Sequence, residues 1–238
     1  MDLYAENLDF QELNRRIRDA EEDVRVTGCL GQRFLGAGIK GKRVYIQGTP
    51  GNGLGAYLDG GEIHVMGNAQ DAVGDTMNGG RIVIHGNAGD ALGYAMRGGS
   101  IYVRGNAGYR TGIHMKEYRE HRPVIVVGGK AGSFLGEYLA GGLIFVLGMG
   151  AEDIPVGGFI GTGMHGGSIF IRTQGNLTGL PAQVTAEVAD GEMLEEIRPY
   201  VSEFCMHFGM DADKLLKDRY YRLKANARNP YRQLYTTE

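Results

Sequence analysis

The residues of this 238-residue chain that could do chemistry are six histidines, two cysteines and a few regularly spaced aspartates. His64 lies between Ile63 and Val65 and is expected to point away from them. His85 and His165 stand where other segments of the same pattern carry arginine. His114 and His121 neighbour Glu117 and Glu120, where a metal site competes with a plain solvated loop. Cys29 and Cys205 cannot hold an iron–sulfur cluster in the four-thiolate manner, and two distant thiols suit a reducing compartment better than a disulfide framework. Asp71, Asp75 and Asp90 recur in neighbouring segments. Such a ladder could bind a cation, but aspartate at corners serves more often as turn chemistry. Gly36-Ala-Gly38-Ile-Lys-Gly41 and Gly161-Thr-Gly163-Met-His-Gly166 both match G-x-G-x-x-G. A dinucleotide site needs that motif between a strand and a long helix, and here another strand pattern follows. No G-x-S-x-G elbow and no phosphate loop ending in Gly-Lys-Ser/Thr is present. No catalytic, cofactor-binding or metal-ligating residues are therefore assigned to this chain.

The elements that carry these residues repeat every 19 positions, most plainly from Gly55, Gly74 and Gly93. Each repeat holds a strand-like triplet such as Ile63-His64-Val65, Ile82-Val83-Ile84 or Ile101-Tyr102-Val103. Seven triplets align, the others starting at Val44, Ile125, Ile144 and Ile169. Two further columns are apolar. One runs through Leu35, Leu54, Val73, Leu92, Leu135 and Ile160, with Thr111 as an exception; the other runs from Ile39 and Leu58 through Met77, Met96 and Met115 to Leu139 and Met164. Glycines every few residues leave no room for a helix. A fixed period near 20 calls for a stacked architecture. The expected fold is all-β: a single-stranded parallel β-helix of about seven 19-residue coils, with short helical caps that close its ends. Surplus residues fall at 113–122 and near Met149 to Gly158, and would project as loops.

The 41 glycines follow the repeat and do not signal disorder. A net charge of −3 gives no case for nucleic acid. No apolar run nears 20 residues and no signal peptide is evident, so no membrane is expected and the chain is placed in the cytoplasm. Residues 1–24 are read as a helical cap, with Asp9 and Glu12 resembling a capping box, and Val24 to Leu30 as an extended lead into the first coil. The β-helix occupies 25–190, its last part looser. Residues 191–238 read as helical, interrupted at Pro199, then as a tail from 217 with six basic residues and four tyrosines.

GNAQDAVGDTMNGGRIVIHGNAGDALGYAMRGG, with IYVRGNAGYRTGIHMKEY and VVGGKAGSFLGEYLAGG, resembles the GXGXG domain. That is the carboxy-terminal β-helix of the glutamate synthase large subunit, a structural part without catalytic residues. The resemblance covers about residues 25–175 and implies a scaffold subunit of a glutamate synthase-type complex. Its implied partners are a glutaminase (amidotransferase) subunit and an FMN-dependent synthase subunit. FMN and iron–sulfur clusters would sit in those partners, with no cofactor in this chain. The same repeat resembles the glycine-rich repeat subunit of formylmethanofuran dehydrogenase, a molybdenum or tungsten enzyme, which makes a scaffold of that complex the alternative. GIHMKEY and GEYLAGG look closer to the first family. A free-standing β-helix enzyme or ligand-binding protein is the third reading, and a homo-oligomer is left open. Apolar residues at the outward positions Val83, Val126, Phe145 and Phe170 imply that other protein covers that face. The 113–122 insertion and the 217–238 tail are the expected contacts.

Overall fold

Glycine-bounded aliphatic triplets become strands wherever each coil can lay its triplet on the last. In the computed structural model, which describes residues 1–226, these strands are β2 (Val24–Leu30), β3 (Arg43–Thr49), β4 (Asp59–Val65), β5 (Gly79–Ile84), β6 (Ser100–Val103), β7 (Val124–Val127), β8 (Ala140–Val146) and β9 (Gly166–Arg172). Each pairs in parallel with the next, and Val44, Ile63, Ile82, Ile101, Ile125, Ile144 and Ile169 fall in one register. The parallel β-helix is therefore as expected. It gains one turn over the seven read from the triplets, because β2 stacks Val24 on Val44 and Val26 on Ile46.

Both apolar columns line the interior, where even the exceptional Thr111 is buried. Its hydroxyl is satisfied locally, donating to the Gly108 carbonyl at 3.2 Å. Each buried aliphatic contributes about 1.5–3 kcal/mol. Glycine is required where coils approach: Gly80 has φ +87°, and a Cβ there would lie 2.2 Å from the Gly61 carbonyl oxygen. Asparagine and aspartate bind one coil to the next. Asn68 Oδ1 accepts from Asn87 N at 2.8 Å, Asn87 Oδ1 from Asn106 N at 2.7 Å, and Asn106 Oδ1 from Lys130 N at 2.8 Å. Asp71 and Asp90 do the same for Asp90 N and Tyr109 N. Asp75 accepts from the Thr76 hydroxyl. The aspartate ladder is thus turn chemistry.

Helix α1 (Phe10–Asp19) closes the first coil. Asp9 caps it by accepting from Gln11 N and Glu12 N. Leu13 and Ile17 enter the inner core. Lys42 Nζ donates to the last carbonyls, those of Ile17, Arg18 and Ala20. A strand the sequence did not signal, β1 (Asp2–Tyr4), adds in parallel to β2.

The other end departs from the sequence expectation. Residues 176–189 do not form looser coils. They supply β10 (Val184–Val188), which pairs antiparallel with β11 (Tyr220–Ala225), and β11 pairs antiparallel with β9. Strand β11 thus lies between β9 and β10. Between them run α2 (Gly191–Phe208) and α3 (Ala212–Leu216), capped by Asp190 and Asp211. Helix α2 continues through Pro199, where a break was expected. An internal proline costs about 3 kcal/mol; Ile197, Val201, Phe204 and Cys205, all buried on the sheet, outweigh it. Gly209, at φ +66°, ends the helix in the left-handed conformation.

Candidate interaction surfaces

The outward side chains of the main sheet form their own ladder: Tyr45, His64, Val83, Tyr102, Val126, Phe145 and Phe170. Their apolar stretch is covered, but by this chain's own α2, α3 and Tyr220 rather than by another protein. Phe145 stacks on Phe170 at 5.1 Å and on Tyr200 at 5.5 Å. Gly128 makes room for the helix, since a Cβ there would stand 2.8 Å from the Phe204 ring. The cover stops short of the first coils. Arg25, Thr27, Tyr45, Gln47 and Met66 line an open hollow of 860 Å³, with Met66 54 % exposed.

Where α2 ends, a polar cluster fastens it to β4–β6. Arg81 pairs with Glu203 of the helix and, at 3.3 Å, with Glu62. His64 Nε2 lies 3.1 Å from the same Glu62 oxygen, and the His64 ring stacks on Tyr45 at 5.1 Å. The His207 ring packs on Tyr102 at 5.0 Å, with Nε2 3.9 Å from Glu203. Burial alone would raise the Glu62 carboxyl, but hydrogen bonds from Arg81 and His64 hold it below the usual carboxylate range. Burial pushes the Tyr102 hydroxyl upward, reinforced by its hydrogen bond to Glu203. Burial, then the Arg81 charge, lowers His207; burial, then His64 and Arg104, lowers His85. A carboxylate, an imidazole and a phenol could in principle share protons. Here Arg81 engages both carboxylates, and the group works as a latch.

Acid is expected to weaken the attachment of α2, which carries His207 and packs Phe208 against His85 at 5.2 Å. His207 and His85 have folded values below the ordinary 6.5, so the folded state binds fewer protons than the unfolded one. The stability they contribute is present above about 6.5 and declines as pH falls below it. Hydrogen exchange of the α2 amides is therefore expected to be faster, relative to the intrinsic rate, at pH 5.5 than at pH 7.5. Unchanged protection factors would show that protonating these imidazoles does not loosen the helix.

The insertion at 113–122 folds back on itself through a Tyr118–His121 bridge. Glu117 ties it down, accepting from Gly142 N at 2.9 Å and from Arg122 Nε at 3.1 Å. The second surplus, at 149–158, borders a hollow of 560 Å³ with Arg172, which bonds Asp218. Of the expected contact tail, Tyr220 and Leu223 are buried in β11; Arg228, Tyr231, Arg232 and Tyr235 lie outside the described residues. His114 and His121 do not converge with acids. Among the described residues no group of three or more His, Cys, Asp or Glu is arranged to hold a metal. No helix among them is long and apolar enough to cross a membrane. The latch residues Glu62, Arg81, Glu203 and His207 were not singled out from sequence; the one local signal was the i,i+4 spacing of Glu203 and His207.

The chain, a glycine-cornered parallel β-helix with a helix strapped across one face, belongs to the GXGXG motif family, whose profile matches residues 9–227. It is 40 % identical over 249 residues to an uncharacterized protein of Methanocaldococcus jannaschii, MJ1350, covering 98 % of this chain and 95 % of that one. Its fold is similar, with a TM-score of 0.65 and 23 % identity, to a chain of the formyltransferase/hydrolase complex FhcABCD from Methylorubrum extorquens, solved with methylofuran. The likeness spans 85 % of this chain and 74 % of that one. This corrects the glutamate synthase assignment: the matching solved complex handles formyl groups, and the alternative reading fits it better. The physical reason for the error is plain. The repeat encodes coil geometry and says nothing of which proteins stand beside it. The FMN and iron–sulfur expectations belonged to the abandoned assignment.

Proposed function

We propose that this chain is a structural subunit of a multi-subunit complex that processes formyl groups, of the kind to which formylmethanofuran dehydrogenase belongs. The supporting observation is the fold likeness to a chain of a formyltransferase/hydrolase complex across 85 % of this chain. The rod would set the spacing of catalytic subunits and contribute no reacting group. Its partners are then subunits that transfer, hydrolyse or form a formyl amide. Cys29 and Cys205 are both buried and unpaired, which suits a reducing cytoplasm. Affinity purification of the tagged full chain from its native host, followed by mass spectrometry, tests this reading. A formyl-processing subunit in stoichiometric yield is expected. A stable complex made only of proteins with other chemistry, or a chain that purifies alone, overturns it.

A further inference from the structure

One edge of every coil carries a column of residues in the left-handed conformation. Phe34, Gly53, Ala72, Ala91, Arg110, Phe134 and Phe159 succeed one another there, with φ between +54° and +75°. Four residues further on, Tyr57, Thr76, Ala95, His114 and Tyr138 form a parallel column at +50° to +57°. A residue with a Cβ costs roughly 1–2 kcal/mol in this conformation, and Gly53 shows that the coil closes without one. Small residues fill the middle coils, between Phe34 and Tyr57 of the first coils and the larger side chains of the later ones. The later coils carry large side chains at the strained sites in unbroken succession, and these point outward, adding nothing to the inner core.

They are organised among themselves. The Arg110 guanidinium lies 5.0 Å over the Phe134 ring, and Phe134 stacks on Phe159 at 5.0 Å with an interplanar angle of 11°. A 3.0 Å bond to Glu137 holds the guanidinium in place and leaves its other nitrogens available. Beside that stack, His114 lies on Tyr138 at 5.0 Å and 6°, with Tyr94 edge-on to His114 at 5.9 Å. Phe159 is 62 % exposed. Arg97 and Lys116 border the same coils, both exposed. From 97 to 139 the chain has seven Lys and Arg against three Glu, a local charge of +4 within a whole of −3. Backbone strain that no burial offsets points to a role in contact. Aromatic side chains and arginine are the residue types that dominate protein interfaces, and the local charge selects an acidic counterpart.

We propose that this aromatic and basic edge is the docking face for a partner protein, engaged through a segment that places carboxylates beside apolar side chains. The identity of that partner rests on the structural-subunit reading above. The carboxylates would meet Arg97, Arg110 and Lys116, and the apolar groups would cover Phe134 and Phe159. The α2 side of the rod is already occupied by this chain itself.

A photo-reactive benzophenone amino acid at position 159, and separately at the exposed Tyr4 site as control, tests the proposal in cells making the full chain. Position 159 is expected to yield a light-dependent protein adduct whose crosslinked peptide is net acidic, and position 4 none. No adduct above the control, an adduct to a basic peptide, or an adduct to nucleic acid overturns it. The double substitution Phe134→Ala with Phe159→Ala keeps the fold, because Ala72 and Ala91 already occupy the same column. Its thermal midpoint should match that of the parent, while affinity for the purified crosslinked partner falls at least about tenfold; unchanged affinity sinks the proposal. The two readings separate cleanly. An acidic partner without formyl chemistry keeps the docking face and removes the assigned function. Formyl-processing subunits that bind the double variant undiminished keep the function and remove the docking face.

Discussion

Phe204→Ala is expected to free α2 from the sheet while the coils stay stacked. Phe204 is fully buried in the outer core, touches Phe208 at 4.8 Å and sits over Gly128. Truncating such a ring costs about 3–5 kcal/mol. That cost falls on a helix held by few large side chains: Ile197, Val201 and Cys205 are its other buried residues. The inner core has no share in Phe204, since the two clusters lie on opposite faces of the sheet. Hydrogen exchange resolved by segment should show protection lost across 191–208 and retained in β4–β8. The uncovered Val83, Tyr102 and Phe145 should then bind an apolar dye. Equal loss of protection in β5–β8 would mean that the two cores unfold as one unit, contrary to their separation by the sheet.

Ile82→Asp should have the largest effect of any single substitution proposed for this chain. Ile82 is fully buried between Ile63 and Ile101 in the inner ladder. An aspartate there meets only aliphatic neighbours, and an unpaired buried charge of this kind removes more than about 4 kcal/mol. The chain should fail to give a cooperative unfolding transition, or be recovered only as aggregate. Val83→Asp serves as the comparison. From sequence alone Val83 faces outward and the change should be much milder. The structure corrects this: Val83 is also fully buried, beneath α2. Its replacement is expected to be severe but confined, undocking the helix while circular dichroism still reports a folded sheet. Identical collapse of the two variants would contradict the separation of inner and outer cores.

What could be read in advance follows from how local each signal is. The coil is a local object. Its glycine corners, its β-branched triplet and its two apolar columns recur every 19 residues, so one register satisfies every coil at once. The amino-terminal cap was equally local, with Asp9 followed by Leu13 and Ile17 at helical spacing. The latch was not, because Arg81 and Glu203 meet only after the chain has passed through four more coils and turned back. The docking edge was hidden for another reason: its columns mix aromatics with glycine, alanine, threonine and arginine, so a periodicity search counts them as noise.

Sequence by itself determined the stacked β-helix, the inward and outward alternation and the absence of a recognisable catalytic motif, since each depends on spacing within or between neighbouring repeats. Tertiary structure alone decided how the ends close and which faces remain open. Strand β11 pairs Tyr220 with Arg172 and Leu223 with Ile169, contacts between residues about 50 positions apart for which no local pattern exists. Helix α2 runs on through Pro199 because burial of its apolar side against the sheet exceeds the loss of one hydrogen bond. The outward aliphatics, which read as a place for a partner, are this chain's own second core. The face left to a partner is the strained aromatic edge, where bulky residues hold a conformation that favours glycine and no burial within the chain explains their presence.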